Sequence, residues 1–341
     1  MNKLTKIGAT ALCGSLAAIS AANAGDLSVT GGVDMSWISL NDEAVGNPIG
    51  IGSNLTFSGS GELDNGWSVA LTVAHNNANA YSNTNVVVGV PSLGSIRIDQ
   101  GTTGTGIDRM DDITPNVWEE AWGTGLGTGL DLVAGVSGSS NIEYTPNMLP
   151  DGATARIAWM PTSGKNSGDK GSSGAQSGAV AETGGFDLTL QLTDAITNVA
   201  GLTVYAGISE TEQDTAGSTV SGDKDETTLG ATYAAGSFTF GYQWSEEKLG
   251  LSSGIDNYEN DAYGITFNVN DDLSIGYNNY SSNQKTIGGA NVTAEATSIQ
   301  IAYSMGGASI RLAEAEIDNA KYQTGAANSK DATTLSVSLA F

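Results

Sequence analysis

Residues 27–37 read LSVTGGVDMSW, and this stretch decides the fold. Its odd positions carry leucine, valine, methionine, tryptophan and one glycine, while its even positions carry serine, threonine, aspartate and one glycine. Successive side chains of a β-strand point to opposite faces. The stretch therefore predicts a strand with one apolar and one polar face.

The same alternation recurs along the chain, and we count sixteen such segments, an all-β pattern that ends at Phe341. Residues 55–57 and 67–73 flank Asp64-Asn65-Gly66, a turn sequence that favours a hairpin. Connections of two lengths separate the segments. Short ones are predicted at 64–66, 91–94, 234–236, 270–272 and 305–307, and long ones at 101–138, 161–181, 211–225, 281–294 and 318–330.

The first residues predict export. Lys3 and Lys6 precede an apolar stretch over 7–19, and Ala22-Asn23-Ala24 has the small residues that a signal peptidase cleaves after. We therefore expect a cleavable signal peptide at residues 1–24 and one barrel at 25–341. Cys13, the only cysteine, would leave with the signal, so the exported chain would have no disulfide.

Apolar and polar residues alternate in the strands of both a membrane β-barrel and a secreted β-sandwich. The positions of the basic residues favour the barrel. Arg97, Arg156 and Arg311 all fall on the polar face of predicted strands. A basic side chain that faces lipid near the midplane costs about 2 to 4 kcal/mol. The lysines after the signal fall in predicted loops: Lys165, Lys170, Lys224, Lys248, Lys285, Lys321 and Lys330. We therefore predict a transmembrane antiparallel β-barrel of 16 strands in the outer membrane, in contact with its lipid.

Charge and motifs narrow the classes of function. The chain has 13 basic and 37 acidic side chains, a formal net charge of −24, which disfavours nucleic acid and favours cations. It has one histidine, His75, and neither a Gly-x-Ser-x-Gly nor a His-Glu-x-x-His motif. We therefore predict that the protein is not an enzyme, and the alternative of an outer-membrane hydrolase is disfavoured.

Two stretches carry a family resemblance. Residues 55–67, from LTFSG to DNGW, and residues 93–98, LGSIRI, followed by a long acidic segment, resemble the general diffusion porins of Gram-negative bacteria, closest to the alphaproteobacterial type. The resemblance implies a homotrimer of sixteen-stranded barrels. It also implies that the third external loop, here residues 101–138, folds inward to narrow each pore.

The candidate site follows from that loop. An irregular segment of this length is unusual unless it is functional or disordered. Six of its charged side chains are the predicted pore constriction: Asp108, Arg109, Asp111, Asp112, Glu119 and Glu120. The predicted lumenal wall across from them, by strand register, is Arg97, Asp99, Arg156 and Arg311. The alternatives are a solvated charge run for the loop, and arginines that only stiffen the wall.

Opposed carboxylates and guanidinium groups in a narrow aqueous passage create a transverse field that filters solutes by size and polarity. Carboxylates outnumber guanidinium groups in the loop, which predicts a weak cation preference. Asp108, Asp111 and Asp112 could bind calcium through hard oxygen ligands, although their spacing matches no EF-hand loop. No cofactor is otherwise required.

The leading hypothesis is passive diffusion of small hydrophilic solutes and ions. Two alternatives remain: a substrate-selective outer-membrane channel, and an adhesin or structural barrel.

Overall fold

A computed structural model of the protein describes residues 27–40, 49–63, 65–76, 80–101, 103–164, 182–213, 219–306 and 308–340. The predicted signal peptide with Cys13, the terminal Phe341, and Lys165 and Lys170 lie outside the described residues.

The described chain forms sixteen antiparallel strands, and each strand pairs with its neighbours in the sequence. The first strand also pairs with the last, with Val33 opposite Leu339, so the sheet closes into a barrel. The predicted fold class and strand number are confirmed. The strands are β1 Leu27–Leu40, β2 Ile49–Glu62, β3 Ser68–Asn76, β4 Ala80–Val90, β5 Gly94–Gln100, β6 Ser140–Pro146, β7 Ala153–Met160, β8 Glu182–Leu192, β9 Leu202–Gln213, β10 Lys224–Ala235, β11 Phe238–Lys248, β12 Gly254–Asn268, β13 Leu273–Ile287, β14 Val292–Met305, β15 Ala308–Asp318 and β16 Lys330–Ala340.

The two faces of the strands differ as the alternation predicts. On β8, Leu188 is 42% exposed while Asp187 beside it is fully buried. Large apolar side chains such as Trp37 and Ile299 are likewise exposed on their strands. This inversion of a soluble protein's pattern is what a sheet with an apolar outer face requires. In a closed barrel, the polar face is then the inner face.

One predicted loop is wrong. Residues 281–294 were expected to be a long connection, but β13 continues to Ile287 and β14 begins at Val292, with Ser281 opposite Glu295. Side chains on both faces of this stretch are polar, from Asn279 to Gln284. Hydropathy alternation therefore stops there, although the backbone pairing continues.

Other strands also extend beyond the residues in which hydropathy alternates, and this places several lysines in strands rather than in loops. Lys224 and Lys330 are the first residues of β10 and β16, Lys248 is the last of β11, and Lys285 lies two residues before the end of β13. The expectation that these lysines lie in loops is wrong for the same reason. Of the described lysines, Lys321 alone lies in a connection between strands.

The described residues contain little helix. A four-residue α-helix, Asp194–Thr197, lies between β8 and β9, and four short 3₁₀ turns occur elsewhere. No helix in the described ranges has the length and hydropathy needed to cross a membrane.

Candidate functional site

The longest irregular stretch joins β5 to β6, two strands that pair directly, with Asp99 opposite Asn141. We call residues 101–139 the β5–β6 segment. It contains two 3₁₀ turns, Gly106–Met110 and Ala121–Gly123. Because it has no strand partner of its own, its position depends on contacts with other parts of the chain.

The outgoing limb of the β5–β6 segment runs along the polar face of the wall. The N–H of Ile107 donates to Oδ2 of Asp187 on β8 at 2.9 Å. The N–H of Ile113 donates to Oε1 of Gln243 on β11 at 2.9 Å. The hydroxyl of Thr114 shares a hydrogen bond with that of Tyr280 on β13. Long polar side chains thus satisfy backbone groups of this limb.

Further along, the limb reaches β14 and β15. The N–H of Trp118 donates to Oε1 of Gln300 on β14 at 3.1 Å, and the carbonyl of Glu119 accepts from the same amide side chain. The ring of Trp118 lies beneath the Arg311 guanidinium, with Cζ 5.4 Å from the ring centroid. This cation–π contact places an aromatic residue of the segment on the β15 wall.

Glycines in the wall make room for the limb. A Cβ built on Gly230 would lie 2.3 Å from Cδ1 of Ile113, and one on Gly241 would lie 2.4 Å from Cδ of Pro115. These distances are far shorter than any van der Waals contact, so a larger residue would push the segment away. Five successive strands, β9 to β13, each carry such a glycine on the polar face: Gly207, Gly230, Gly241, Gly264 and Gly276.

The returning limb runs back along the same wall. The carbonyl of Thr124 accepts from the hydroxyl of Thr334 on β16 at 3.0 Å. The N–H groups of Ala134 and Gly135 donate to Oε2 of Glu226 on β10 at 2.9 and 2.7 Å. The N–H of Val136 then reaches Asp187 again. Asp187 therefore joins the beginning and the end of the segment.

Apolar side chains fill the space between the segment and strands β12 to β16. Ala121 and Leu126 of the segment are buried there. The residues of the wall and of the β15–β16 connection in this cluster are Tyr258, Ala262, Tyr280, Ala294, Ala296, Ala315, Ile317, Ala320, Tyr322 and Ala332. Burial of this apolar surface holds the segment in addition to its hydrogen bonds.

Four of the six predicted constriction residues come together. Asp108, Asp111, Asp112 and Glu120 lie close enough to influence one another's ionisation. Burial raises the pKa of Asp111 to about 9, and the charges of Asp112 and Asp108 add to the rise. Burial raises the pKa of Asp112 to about 7, helped by the charge of Glu120. The cluster is thus partly protonated near neutral pH.

Asp108 has local partners. Burial raises its pKa, whereas the N–H of Gly104 and the hydroxyl of Ser137, 2.9 Å away, oppose that rise by donating to its carboxylate. Glu120 accepts from Nδ2 of Asn116 at 2.9 Å.

The other two predicted constriction residues also contact other parts of the chain. Arg109 is paired with Glu143 on β6, with Nη2 2.7 Å from Oε1. Glu119 contacts the wall through its backbone carbonyl.

The predicted wall arginines contact the segment or its base rather than face it across the barrel. Nη2 of Arg97 lies 2.6 Å from Oδ2 of Asp99, and Nη1 donates to the carbonyl of Gly104 at 3.2 Å. Arg156 lies near Arg109 and Glu143. No lysine or arginine occurs between residues 7 and 96, so β1 to β4 carry neither.

The wall residues that hold the segment were not among the predicted site residues; they are chiefly Asp187, Glu226, Gln243 and Gln300. The available signal was long polar side chains and glycines at polar-face positions of β8 to β14. No cluster of three or more histidine, cysteine, aspartate or glutamate side chains within the described ranges is arranged to hold a metal ion. The calcium site and the roles assigned to the predicted residues stay predictions.

A closed sixteen-stranded antiparallel barrel with an apolar outer face is an outer-membrane β-barrel protein. Comparison with protein families matches residues 8–341 to the Gram-negative porins. The chain belongs to this family and is an outer-membrane porin.

Solved structures share the fold. The OmpF porin of Salmonella typhi, solved with daunomycin, is 13% identical with a TM-score of 0.68, covering 93% of this chain and 98% of its own. An anion-selective porin from Comamonas acidovorans is 15% identical with a TM-score of 0.67, covering 93% and 100%. OmpT of Vibrio cholerae, folded in vitro and in a trimer form, is 13% identical with a TM-score of 0.63, again covering 93% and 100%. No curated protein matches the chain.

Proposed function

We propose that this porin is a passive channel for small hydrophilic solutes and ions, without catalytic activity. The β5–β6 segment folds inward and forms the constriction, and its carboxylates give the channel a weak preference for cations.

Contacts of the β5–β6 segment support the inward position. It bonds to polar-face side chains of β6, β8, β10, β11, β14 and β16, strands spread over much of the circumference. A segment outside a closed barrel would meet the apolar face or the rim instead. The glycines that receive Ile113 and Pro115 also lie on the polar face.

The imbalance of unpaired charge carries the cation preference. Asp108, Asp111, Asp112 and Glu120 are grouped on the segment, and none of them belongs to an ion pair within the described residues, although the charge of Arg109 acts on Asp108. In contrast, Arg97 and Arg109 are each paired with a carboxylate. The field of an acidic passage raises the local concentration of cations.

The positions of the basic side chains make the expected transverse field weaker. Because the arginines contact the segment or its base and β1 to β4 have no lysine or arginine, little positive charge opposes the carboxylates. We therefore attribute selectivity to net negative charge at the passage more than to opposed charges. The anion-selective Comamonas porin has the same fold, so selectivity must come from each chain's own side chains.

The test is the reversal potential of purified protein in planar bilayers under a salt gradient. We expect a sign that reports cation preference, reduced in a variant carrying Asp111→Asn and Asp112→Asn. Asp151→Asn, an exposed position in the turn between β6 and β7, removes one charge away from the segment and serves as the control. Anion preference would refute the assignment, and absence of any ion current would favour the adhesin or structural alternative.

We also propose a homotrimer embedded in outer-membrane lipid, exported by a cleavable signal at residues 1–24 and folded as one barrel from residue 25. The trimer form of the Vibrio relative supports the assembly. Native mass and N-terminal sequencing of protein purified from outer membranes test both statements. Calcium at Asp108, Asp111 and Asp112 remains a further proposal, tested by whether millimolar calcium changes the reversal potential.

A further inference from the structure

The connection between β15 and β16, residues 319–329, has a strained backbone. We call it the β15–β16 strap. Asn319, Lys321 and Tyr322 adopt left-handed conformations, with φ of 54°, 56° and 56°. These are three of the five non-glycine residues with positive φ in the described chain. Asparagine tolerates this region, but lysine and tyrosine do not do so readily, and such strain persists only where the surroundings impose it.

One set of contacts ties the β15–β16 strap to the barrel wall. The side-chain amide of Asn319 donates to the carbonyl of Thr293 on β14 at 2.9 Å. The hydroxyl of Tyr322 shares a hydrogen bond of 2.8 Å with that of Ser282 on β13, and its ring centroid lies 5.1 Å from that of Tyr258 on β12. Tyr322 is 8% exposed. The side chain of Tyr322 thus packs against two strands, and that of Asn319 bonds to a third.

A second set ties the strap to the β5–β6 segment. The hydroxyl of Tyr322 accepts from the N–H of Asp131 at 2.7 Å. The N–H of Lys321 donates to the carbonyl of Thr128 at 2.7 Å. A Cβ built on Gly129 would lie 3.4 Å from Cβ of Lys321, so the two backbones run side by side. The strap therefore bridges the wall and the returning limb.

The bridged part of the limb needs such support. Gly125, Gly127 and Gly129 all have positive φ, so this stretch cannot form a strand or helix of its own. Its ends are fixed to the wall, where Thr124 accepts from Thr334 and the carbonyl of Asp131 accepts from Asn260. Between these two anchors, Lys321 holds Thr128.

We propose that Tyr322 and Lys321 are positioning residues: through them the β15–β16 strap holds residues 124–131 against the wall and thereby keeps the passage open and steady. The effect on the passage rests on the proposed channel function. The clamping of the limb does not, and the two parts can be tested separately.

The first test measures the clamp without using ion current. The side chain of Leu126 in the returning limb is 4% exposed, and Leu126→Cys places a thiol at this buried position. Cys13, the chain's only cysteine, lies in the predicted signal, so this thiol would be unique in the exported protein. Adding Tyr322→Phe removes the hydroxyl that accepts from the N–H of Asp131. We expect the thiol to react about tenfold faster with a water-soluble maleimide, because a tenfold change corresponds to the loss of about one buried hydrogen bond.

The matched control is Tyr303→Phe, which removes the same hydroxyl from an exposed position on β14. Equal labelling rates in the Tyr303→Phe and Tyr322→Phe backgrounds would overturn the clamp. A thermal unfolding midpoint for Tyr322→Phe close to that of the control separates local release from general destabilisation.

The second test measures the passage. In planar bilayers, Tyr322→Phe should close or flicker about tenfold more often than Tyr303→Phe. In the Tyr322→Phe background, Gly129→Cys with Lys321→Cys should form a disulfide across the 3.4 Å Cβ separation, and oxidation should restore steady current while a reductant abolishes the rescue. Faster labelling with unchanged current would overturn the positioning role. Absence of current from every variant would refute the channel function, and labelling alone would then decide the clamp.

Discussion

The wall formed by β1 to β4 and the wall formed by β8 to β14 have the same alternation but different polar faces. On β2 and β3, between Asn54 and Thr72, the first wall turns mainly serine, threonine and asparagine inward. The second presents Asp187, Glu226 and Gln243, each at most 2% exposed. Short hydroxyl side chains leave a surface for water, whereas long acceptors reach the N–H groups of an irregular segment. The length of the polar-face side chains therefore indicates which part of the wall bonds to the backbone of the β5–β6 segment.

The largest expected effect is on conductance and comes from deleting part of the β5–β6 segment, which the wall of β8 to β14 holds. Deletion of residues 108–120 removes the outgoing limb together with the carboxylate cluster, while leaving the strand pairings intact. We expect single-channel conductance to rise severalfold, because conductance follows the narrowest section of a water-filled pore. Unchanged conductance in planar bilayers would mean that the β5–β6 segment does not limit the passage. A heat-stable strand signal in circular dichroism serves as the folding control.

The second effect concerns Asp187, which bonds to N–H groups at both ends of the segment. Asp187→Ala leaves those donors buried and unpaired, so we expect a loss of about 3 kcal/mol in the free energy of unfolding. Thr72→Ala, on the polar face of β3, should cost no more than about 0.5 kcal/mol. Urea unfolding in detergent micelles measures both. A similar cost at the two positions would remove the distinction between the walls.

The third effect concerns the wall glycines. In Gly241→Ala the new Cβ would lie 2.4 Å from the Pro115 ring, and we expect a cost of about 2 kcal/mol from overpacking. Gly59→Ala on β2, where nothing lies within 4 Å, is the matched control and should be neutral or slightly stabilising. If both substitutions left the free energy of unfolding unchanged, the space that Gly241 leaves for Pro115 would not contribute to stability.

These contrasts explain what the sequence could predict. The barrel and its sixteen strands were predictable because every membrane-spanning strand must separate an apolar from a polar face. Where both faces become polar, as between Asn279 and Gln284, the alternation of apolar and polar residues disappears. The end of β13 and the start of β14 could therefore not be predicted. The fold was thus readable wherever lipid imposes a pattern.

The candidate site was only partly predictable. Composition identified the acidic segment, and four of the six charged residues predicted for the constriction do lie together. The partners could not be derived, because an irregular segment has no period: Arg109 pairs with Glu143 across 34 positions, and Trp118 meets Arg311 on β15. The register of a strand determines which face an arginine points to, but not which part of the segment contacts it.

The smallest expected effect is the pH dependence of cation preference, which tests whether the charge lies on the β5–β6 segment or on the wall of β1 to β4. A carboxyl with a raised pKa is neutral below that pKa and gains negative charge as the pH rises through it, and the pKa values of Asp112 and Asp111 are raised to about 7 and about 9. Cation preference should therefore increase from about pH 6 to about pH 9. We expect the permeability ratio to change roughly two- to threefold, which corresponds to less than about 1 kcal/mol. Reversal potentials at the two pH values measure it.

The variant with Asp111→Asn and Asp112→Asn should lose most of this pH dependence, because it removes the two carboxyls of the cluster whose pKa values are raised to about 9 and about 7. His75 is the only histidine of the chain and lies on β3, on the apolar register, so His75→Gln should leave the dependence unchanged. A pH dependence that persists in the double variant but vanishes in His75→Gln would move the selectivity away from the β5–β6 segment to the opposite wall.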